Sequence, residues 1–423
     1  MTDVIVPKLT DRDLSFVAPP SKSYTHRALI AAALAEGDSE IVHPLYSEDT
    51  TVTKTALCGL GVRIGRSPRG ILIKGTGGRL TCTDRHVLDM GNSGTSMRLL
   101  LPVAVLCGRP VTLTGSPRMR ERPLGPLVDG LNRLGASVEY MEKEGYPPVI
   151  AGGSIKGGPV TLDGRISSQF ISSVLIASPY ASRDVEITVS GKLVSRTYID
   201  ITIDIMEAFG IRVEREGYRE FRVPGGVPYR GTVYQVEGDY SSASYFFAIA
   251  ACTGGCVSVK GLNPISVQGD RMFLEALREM GCKVVASDKR VTVSCDGRPC
   301  GVNIDMSSSP DTVQTLCMVA ALADTPSRIS GISHLQWKES DRISSTVDLL
   351  RSIGGDVSAD SDSIAIRPAP LHGGIIDPGD DHRTAMSFTV LGLAVGGITV
   401  KNAECVAKSF PGFWKSFREA GLC

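Results

Sequence analysis

The amino-acid sequence predicts an α/β protein of two domains built from six like repeats, each holding two helices with strands between them. Three observations carry this reading. The chain has 423 residues, beyond the size at which a single hydrophobic core keeps growing. A motif of large apolar residue, two others, an apolar residue and Gly recurs as LCGLG, LNRLG, MEAFG, LREMG, LRSIG and FREAG, ending at Gly61, Gly135, Gly210, Gly281, Gly354 and Gly421, at intervals of 74, 75, 71, 73 and 67. A second series, in register with the first, has small polar loops opening onto long apolar stretches; its markers Ser23, Thr95, Ser168, Ser241, Asp311 and Arg383 lie 72, 73, 73, 70 and 72 residues apart.

Each Gly motif reads as the last turn of an amphipathic helix. The apolar residues four and one before the Gly share a face, and Gly supplies the left-handed stop. Alternating segments follow, such as ASVEYM, IRVER and CKVVAS, and predict strands. Stretches of the second series, such as SKSYTHRALIAAALA and DDHRTAMSFTVLGLAV, are apolar nearly all round, which predicts buried helices inside and amphipathic ones outside. The last repeat has no strand after Gly421, and Val4 to Val6 is expected to supply it. That closure places residues 1–18 with 238–423 in a C-terminal domain of repeats four to six, and makes 19–237 an N-terminal domain of repeats one to three.

Composition narrows the function. Lys and Arg number 45 and Asp and Glu 45, so no overall field draws the protein to nucleic acid or to an anionic membrane. The eleven cysteines contain no C-x-x-C, which predicts reduced, mostly buried thiols and no metal. The start has no signal-peptide pattern, and the uncharged run Thr384 to Val400 is short for a membrane span, so a cytoplasmic protein is expected.

Any anion binding must then be local, and it maps to the helix starts, where free N–H groups and the positive dipole end meet ligands. Lys22, Ser23 and Arg27 follow two prolines, with Ser23 and Arg27 on one helical face. Gly91-Asn92-Ser93-Gly94-Thr95 repeats the design, with Arg98 one turn in; it is no Walker motif, because no Gly-Lys-Ser/Thr follows. At the outer helix starts stand Arg118, Arg120 and Arg122, then Lys338, Glu339, Asp341 and Arg342, then Lys408. One such cluster reads as a solvated cap. Recurrence at equivalent positions of the repeats points instead to a cationic pocket for two small anions, which would draw the domains together.

The stretches SKSYTHRALIAAALAEG, LDMGNSGTSMRLL, LTGSPRMRERPLGPL, GRISSQFISSVLIASP, VEGDYSSASYF, PDTVQTLCMVAALA, WKESDRI, DHRTAMSF and KSFPGFW resemble the 5-enolpyruvylshikimate-3-phosphate synthase family, from about residue 17 to the C-terminus. The resemblance implies transfer of the enolpyruvyl group of phosphoenolpyruvate to the 5-hydroxyl of shikimate 3-phosphate, releasing phosphate, in aromatic amino-acid synthesis. It also implies domains of three βαβαββ units each, an inside-out α/β barrel with buried parallel helices, a monomer, and no metal or organic cofactor. By motif, Ser23, Arg27, Ser167, Ser168, Gln169, Ser195, Asp311 and Lys338 are similar to the shikimate 3-phosphate ligands. Lys22, Asn92, Gly94, Arg118, Gln169, Arg342, Arg383 and Lys408 are similar to the phosphoenolpyruvate ligands.

Asp311 resembles the family's base on the 5-hydroxyl, and Glu339, with Lys22, the pair that handles the proton at the methylene carbon. The chemistry asks for such groups, since adding an alcohol across the double bond of an enol phosphate needs a base for the hydroxyl and an acid for the carbon. The sequence alone also allows Asp311 to be an ordinary N-cap after Pro310. His334 stands where many members have Asn. An enolpyruvyl transferase acting on a UDP-sugar would share the repeats, but carries Asn after the first-loop Lys, where this chain has Ser23. A six-repeat ring around nucleic acid fits poorly with zero net charge.

Overall fold

A computed structural model describes residues 2–9, 13–82 and 86–422. Strands β1 (Val4–Val6) and β2 (Asp13–Val17) precede the first repeat, which is α1 (Lys22–Leu34), β3 (Asp38–Val42), α2 (Glu48–Gly59), β4 (Arg63–Ser67) and β5 (Gly70–Lys74). The second is β6 (His86–Asp89), α3 (Gly94–Val105), β7 (Val111–Thr114), α4 (Gly125–Arg133), β8 (Ala136–Tyr140) and β9 (Val149–Gly153). The third is β10 (Gly158–Asp163), α5 (Gln169–Ala177), β11 (Val185–Ser190), α6 (Thr197–Ala208), β12 (Glu214–Glu216) and β13 (Glu220–Val223). After β14 (Val233–Gln235) the fourth repeat holds α7 (Tyr240–Thr253), β15 (Cys256–Lys260), α8 (Met272–Glu279), β16 (Lys283–Ser287) and β17 (Arg290–Ser294). The fifth is β18 (Asn303–Asp305), α9 (Val313–Ala321), β19 (Ser327–Ser330), α10 (Arg342–Ser352), β20 (Asp356–Ala359) and β21 (Ser363–Arg367). The sixth is β22 (Gly374–Ile376), α11 (His382–Val395), β23 (Ile398–Val400) and α12 (Phe413–Glu419).

The second, third and fifth repeats make the same four-stranded sheet: the first strand runs parallel to the second, which pairs antiparallel with the fourth, which pairs antiparallel with the third. The first and fourth repeats take their opening strand from elsewhere in the chain. β14 lies parallel to β3, and β2 lies parallel to β15. The sixth sheet has three strands, β22 parallel to β23 and β1 antiparallel to it, with Val4 opposite Val400. The chain therefore divides into one unit of Met1–Ser21 with Glu237–Cys423 and another of Lys22–Val236. A barrel does not describe the sheets: among the described residues the six remain separate and open.

Why the helices sort as they do follows from composition. In α1 every residue from Tyr24 to Leu34 is buried, with Ala31, Ala32 and Ala33 presenting no face that prefers water. The equivalents α3 and α5 in one unit, and α7, α9 and α11 in the other, pack on one another. Polar groups inside these helices are matched across them: Gln314 Nε2 donates to Thr384 Oγ1 at 2.8 Å, and the Thr315 and Ser387 hydroxyls lie 3.2 Å apart. The outer helices keep one apolar stripe, and all six motif glycines sit at φ between +73° and +98°, just past the helix end. An L side chain there would be strained, so the repeat of Gly is a repeat of backbone geometry.

Two expectations need correction. The segment IRVER pairs only from Glu214 onward, because Ile211 and Val213 serve as buried contacts between helix and strand rather than as ladder residues. The cysteines are not mostly buried: of the ten described, all free, Cys107, Cys282, Cys295 and Cys317 are buried, while Cys58 and Cys300 are exposed. No described helix is long and apolar enough to cross a membrane.

Candidate active site

Each unit gathers predicted residues at its buried-helix starts. In the unit of Lys22–Val236, Lys22 opens α1 and its Nζ meets Asp49 Oδ2 at 3.0 Å. Asp49 lies in the first turn of α2, after a Ser47 capping box, and its backbone oxygen accepts from Ser96 Oγ of α3 at 3.3 Å. Arg27 lies one turn after Ser23 and is buried, with Nε on Thr202 Oγ1 at 2.7 Å, Nη1 on Ser23 O at 2.9 Å and Nη2 on Tyr198 O at 3.3 Å. Burial pushes its guanidinium down to about 10, so it stays a cation at neutral pH.

The next two starts are tied together. Arg98 Nη1 donates to Gln169 Oε1 at 2.9 Å, and Gln169 Nε2 donates to Thr95 Oγ1 at 3.1 Å, joining α3 to α5. Ser167 and Ser168 are buried beside Gln169, and Ser195 is held at φ +55°, a conformation rare for a residue with a side chain and often kept at ligand sites. The loop of Asn92 and Gly94 rests on Arg122, whose Nη1 donates to Asn92 O at 3.3 Å. A Cβ on Gly94 would fall 2.6 to 2.9 Å from that guanidinium, so any larger residue there would have to displace the end of the Arg122 side chain. Arg118 lies further out, half-buried, with Nη1 2.9 Å from Glu121 Oε2.

In the other unit the carboxylates and arginines form one connected set. Arg342, at the start of α10, is 2 % exposed: Nε meets Asp381 Oδ2 at 2.8 Å, Nη2 meets Glu339 Oε2 at 2.7 Å, and Nη1 reaches Asp311 Oδ1 at 3.5 Å. Arg383, in the first turn of α11, places Nη2 on Asp311 Oδ2 at 2.6 Å and Nη1 on Asp311 O, Ser241 Oγ and the Tyr245 hydroxyl at 3.0, 2.6 and 3.2 Å. Asp311 does not cap a helix; its carboxylate is taken by the two arginines, with 19 % of its side chain open. Asp341 does the capping for α10, accepting from Ile343 N and Ser344 N.

Lys338 adjoins Glu339 at the end of the 3₁₀ turn Ser333–Trp337, and burial, with Lys338 nearby, pushes the His334 imidazole down to about 3, so it is neutral. Lys408 is buried at the end of the turn Ala403–Lys408. That turn is anchored by Phe410, whose ring meets Phe246 of α7 edge-on at 5.9 Å and Phe413 at 5.7 Å.

Sequence reasoning passed over Asp49, Asp270, Asp381 and Tyr245, and named Arg122 only beside Arg118, which the motif match selected. Burial pushes Asp381 toward the neutral acid, but Arg342 and His382 outweigh it and hold the carboxyl below the usual range. For Arg342 burial works against the cation, and Asp381 and Glu339 more than offset it, leaving its proton held more tightly than usual. Asp270 goes the other way: burial first, then Asp311, push it up to about 7, against the pull of Arg383. A carboxyl raised above its unfolded value near 4 contributes stability that is full below that value and is lost as pH rises through about 7. Asp270→Asn should therefore gain stability over the parent at pH 8 and show no gain at about pH 4, read from urea midpoints.

A family model of EPSP synthase (3-phosphoshikimate 1-carboxyvinyltransferase) matches residues 15–417. A Methanoregula boonei protein named 3-phosphoshikimate 1-carboxyvinyltransferase is 57 % identical over 412 residues, covering 97 % of this chain and 98 % of its own. A Yersinia pestis protein of the same name is 42 % identical over 404 residues, with 94 % of each chain covered. The solved EPSP synthase structure from Acinetobacter baumannii superposes with a TM-score of 0.81 at 30 % identity, covering 99 % of this chain and 98 % of its own. Six repeats, nine motifs in order and these matches agree, and the chain belongs to the EPSP synthase (3-phosphoshikimate 1-carboxyvinyltransferase) family.

Proposed function

We propose that the protein transfers the enolpyruvyl group of phosphoenolpyruvate to the 5-hydroxyl of shikimate 3-phosphate, the reaction its family is named for. The observation that supports it best is the Arg342 guanidinium, which holds Asp311 and Glu339 on one group while leaving part of each carboxylate open. Ser23, Arg27, Ser167, Ser168, Gln169, Ser195, Asp311 and Lys338 take the shikimate 3-phosphate. Lys22, Asn92, Gly94, Arg118, Gln169, Arg342, Arg383 and Lys408 take the phosphoenolpyruvate.

In this reading Asp311 accepts the hydroxyl proton as the oxygen bonds to the central carbon of phosphoenolpyruvate, and Glu339 with Lys22 delivers a proton to the methylene carbon. Because the product keeps the double bond, the same pair then removes a proton from that carbon as phosphate leaves. The arginines and lysines stabilise the departing anion. No electron changes hands, so the chemistry needs no redox cofactor. The same reading makes the protein a cytoplasmic monomer.

Phosphate release from phosphoenolpyruvate tests this, with shikimate 3-phosphate or a UDP-sugar as acceptor. Release is expected only with the first. Release with neither overturns the assignment, and release with the UDP-sugar alone transfers it to the other class of enolpyruvyl acceptor.

A further inference from the structure

Asp270 has no place in the reaction as assigned, yet it is 5 % exposed and lies against the group that carries the base. It sits in the 3₁₀ turn Gly269–Arg271 that opens α8, and Ser309 Oγ donates to its Oδ1 at 3.0 Å. Ser309 is fully buried, lies 2.8 Å from the Thr312 hydroxyl, and precedes Pro310 and Asp311. Pro310 has a fixed φ, so the orientation of Ser309 is passed on to Asp311 with little slack. On its other side the Asp270 turn is anchored by Gln268, whose Nε2 donates to Gly238 O at 2.8 Å and Glu237 Oε1 at 2.7 Å, while Tyr240 N donates to its Oε1 at 3.0 Å. The segment Gln268–Asp270 thus clasps the loop before α7 and the turn before α9 at once.

We propose that Asp270 is a positioning residue for Asp311, holding the Ser309–Asp311 turn through the Ser309 hydroxyl. The proposal rests on Asp311 being the base assigned above. Among the groups facing Asp270, Asp311 and Asp239 favour its proton, and Arg383, which opposes them, is already engaged by Asp311. An ionised Asp270 would compete for Arg383 and loosen the arrangement; a neutral one accepts from Ser309 and leaves Arg383 to Asp311. Burial and the neighbouring carboxylate favour the proton in the same direction.

Three variants of the full chain test this: Asp270→Ala, Ser309→Ala and Asp270→Asn. Each is checked for cooperative unfolding, then for kcat, both KM values and the pH profile of kcat. Asp270→Ala and Ser309→Ala are each expected to lower kcat by about 10- to 10²-fold, the size of a misplaced catalytic group, with both KM values nearly unchanged. Their double variant should be no worse than either alone, because both remove one link. Asp270→Asn, neutral and of the same shape, should keep kcat within about threefold and leave the midpoint of the acid limb where it is.

Parental kcat in a folded Asp270→Ala or Ser309→Ala overturns the proposal. So does an acid limb moved to lower pH in Asp270→Asn, since that shift requires a negative charge at 270 beside Asp311. If Asp270→Ala does not fold, Ser309→Ala and Asp270→Asn decide alone. Asp311→Asn separates the two levels: full turnover there removes the base assignment itself, whereas loss there with none in Ser309→Ala removes only the role of Asp270.

Discussion

Asp311→Asn or Glu339→Gln is expected to lower turnover by ~10²–10⁴-fold while leaving the KM for phosphoenolpyruvate no higher than in the parent. The geometry gives both halves of that result. Asn keeps the size of Asp311 and can still accept from Arg383, which holds the carboxylate at 2.6 Å, but it cannot take a proton from a hydroxyl. Removing the negative charge also uncovers Arg383 and Arg342, so an anionic substrate should be held as well or better. The same holds for Glu339, which is 2.7 Å from Arg342. Steady-state kinetics with each substrate varied separates the terms. Near-parental kcat in both variants refutes the acid–base roles, and a large rise in KM with kcat kept would mean the carboxylates bind rather than react.

Asp381→Ala is expected to lower the stability of its unit by about 3–5 kcal/mol, the usual result of stranding one member of a buried ion pair. Arg342 would lose the contacts to both oxygens of Asp381, at 2.8 and 3.2 Å, and α11 would lose the cap that accepts from Arg383 N at 2.9 Å. Arg342→Met combined with Asp381→Leu should cost less than the two single changes added together, because the Arg342–Asp381 pair is then removed whole and the remaining cost is that of Glu339 losing its 2.7 Å contact to Arg342. The pH dependence has a definite sign. The folded Asp381 carboxyl is held below its unfolded value near 4, so its contribution is full above about pH 4 and is lost as pH falls through the folded value. Urea midpoints from pH 3 to 8 should show the parent losing this advantage over Asp381→Ala at the acid end; a constant difference would mean the charge is not what stabilises.

Some of this was legible in the amino-acid sequence and some was not, for physical reasons. The six glycines announce themselves because only a residue without Cβ suits the left-handed position, so backbone geometry is written in residue type. The buried helices are equally plain from runs such as Ala31 to Leu34. Strand partners are not, since β2 and β14 have the spacing of ordinary opening strands while each completes a sheet whose other strands lie far along the chain. At the site, Lys22, Arg342 and Arg383 stand out as cations at helix starts. Their counter-charges do not: Asp49 and Asp381 read as caps, and only the approach of a helix from another part of the chain shows which cation each one holds. The one available signal was positional, Asp49 and Asp270 standing at outer-helix starts as Glu339 does.

The crossed strands bear on how the chain is made. The two linkers run side by side, Ser21 N donating to Glu237 O and Asp239 N to Pro19 O, each at 2.8 Å. Synthesis delivers everything from Lys22 to Val236 before either early strand has a partner. The unit of repeats one to three can complete its own three sheets at that stage, since β14 closes the first of them. β2 must wait for β15, and β1 for β23, nearly four hundred residues after it emerges. Those are the pairings of highest sequence separation in the molecule's sheets, and they make the second unit the slow one to finish. Until then Val4, Ile5 and Val6 offer an unpaired apolar edge to any strand that passes.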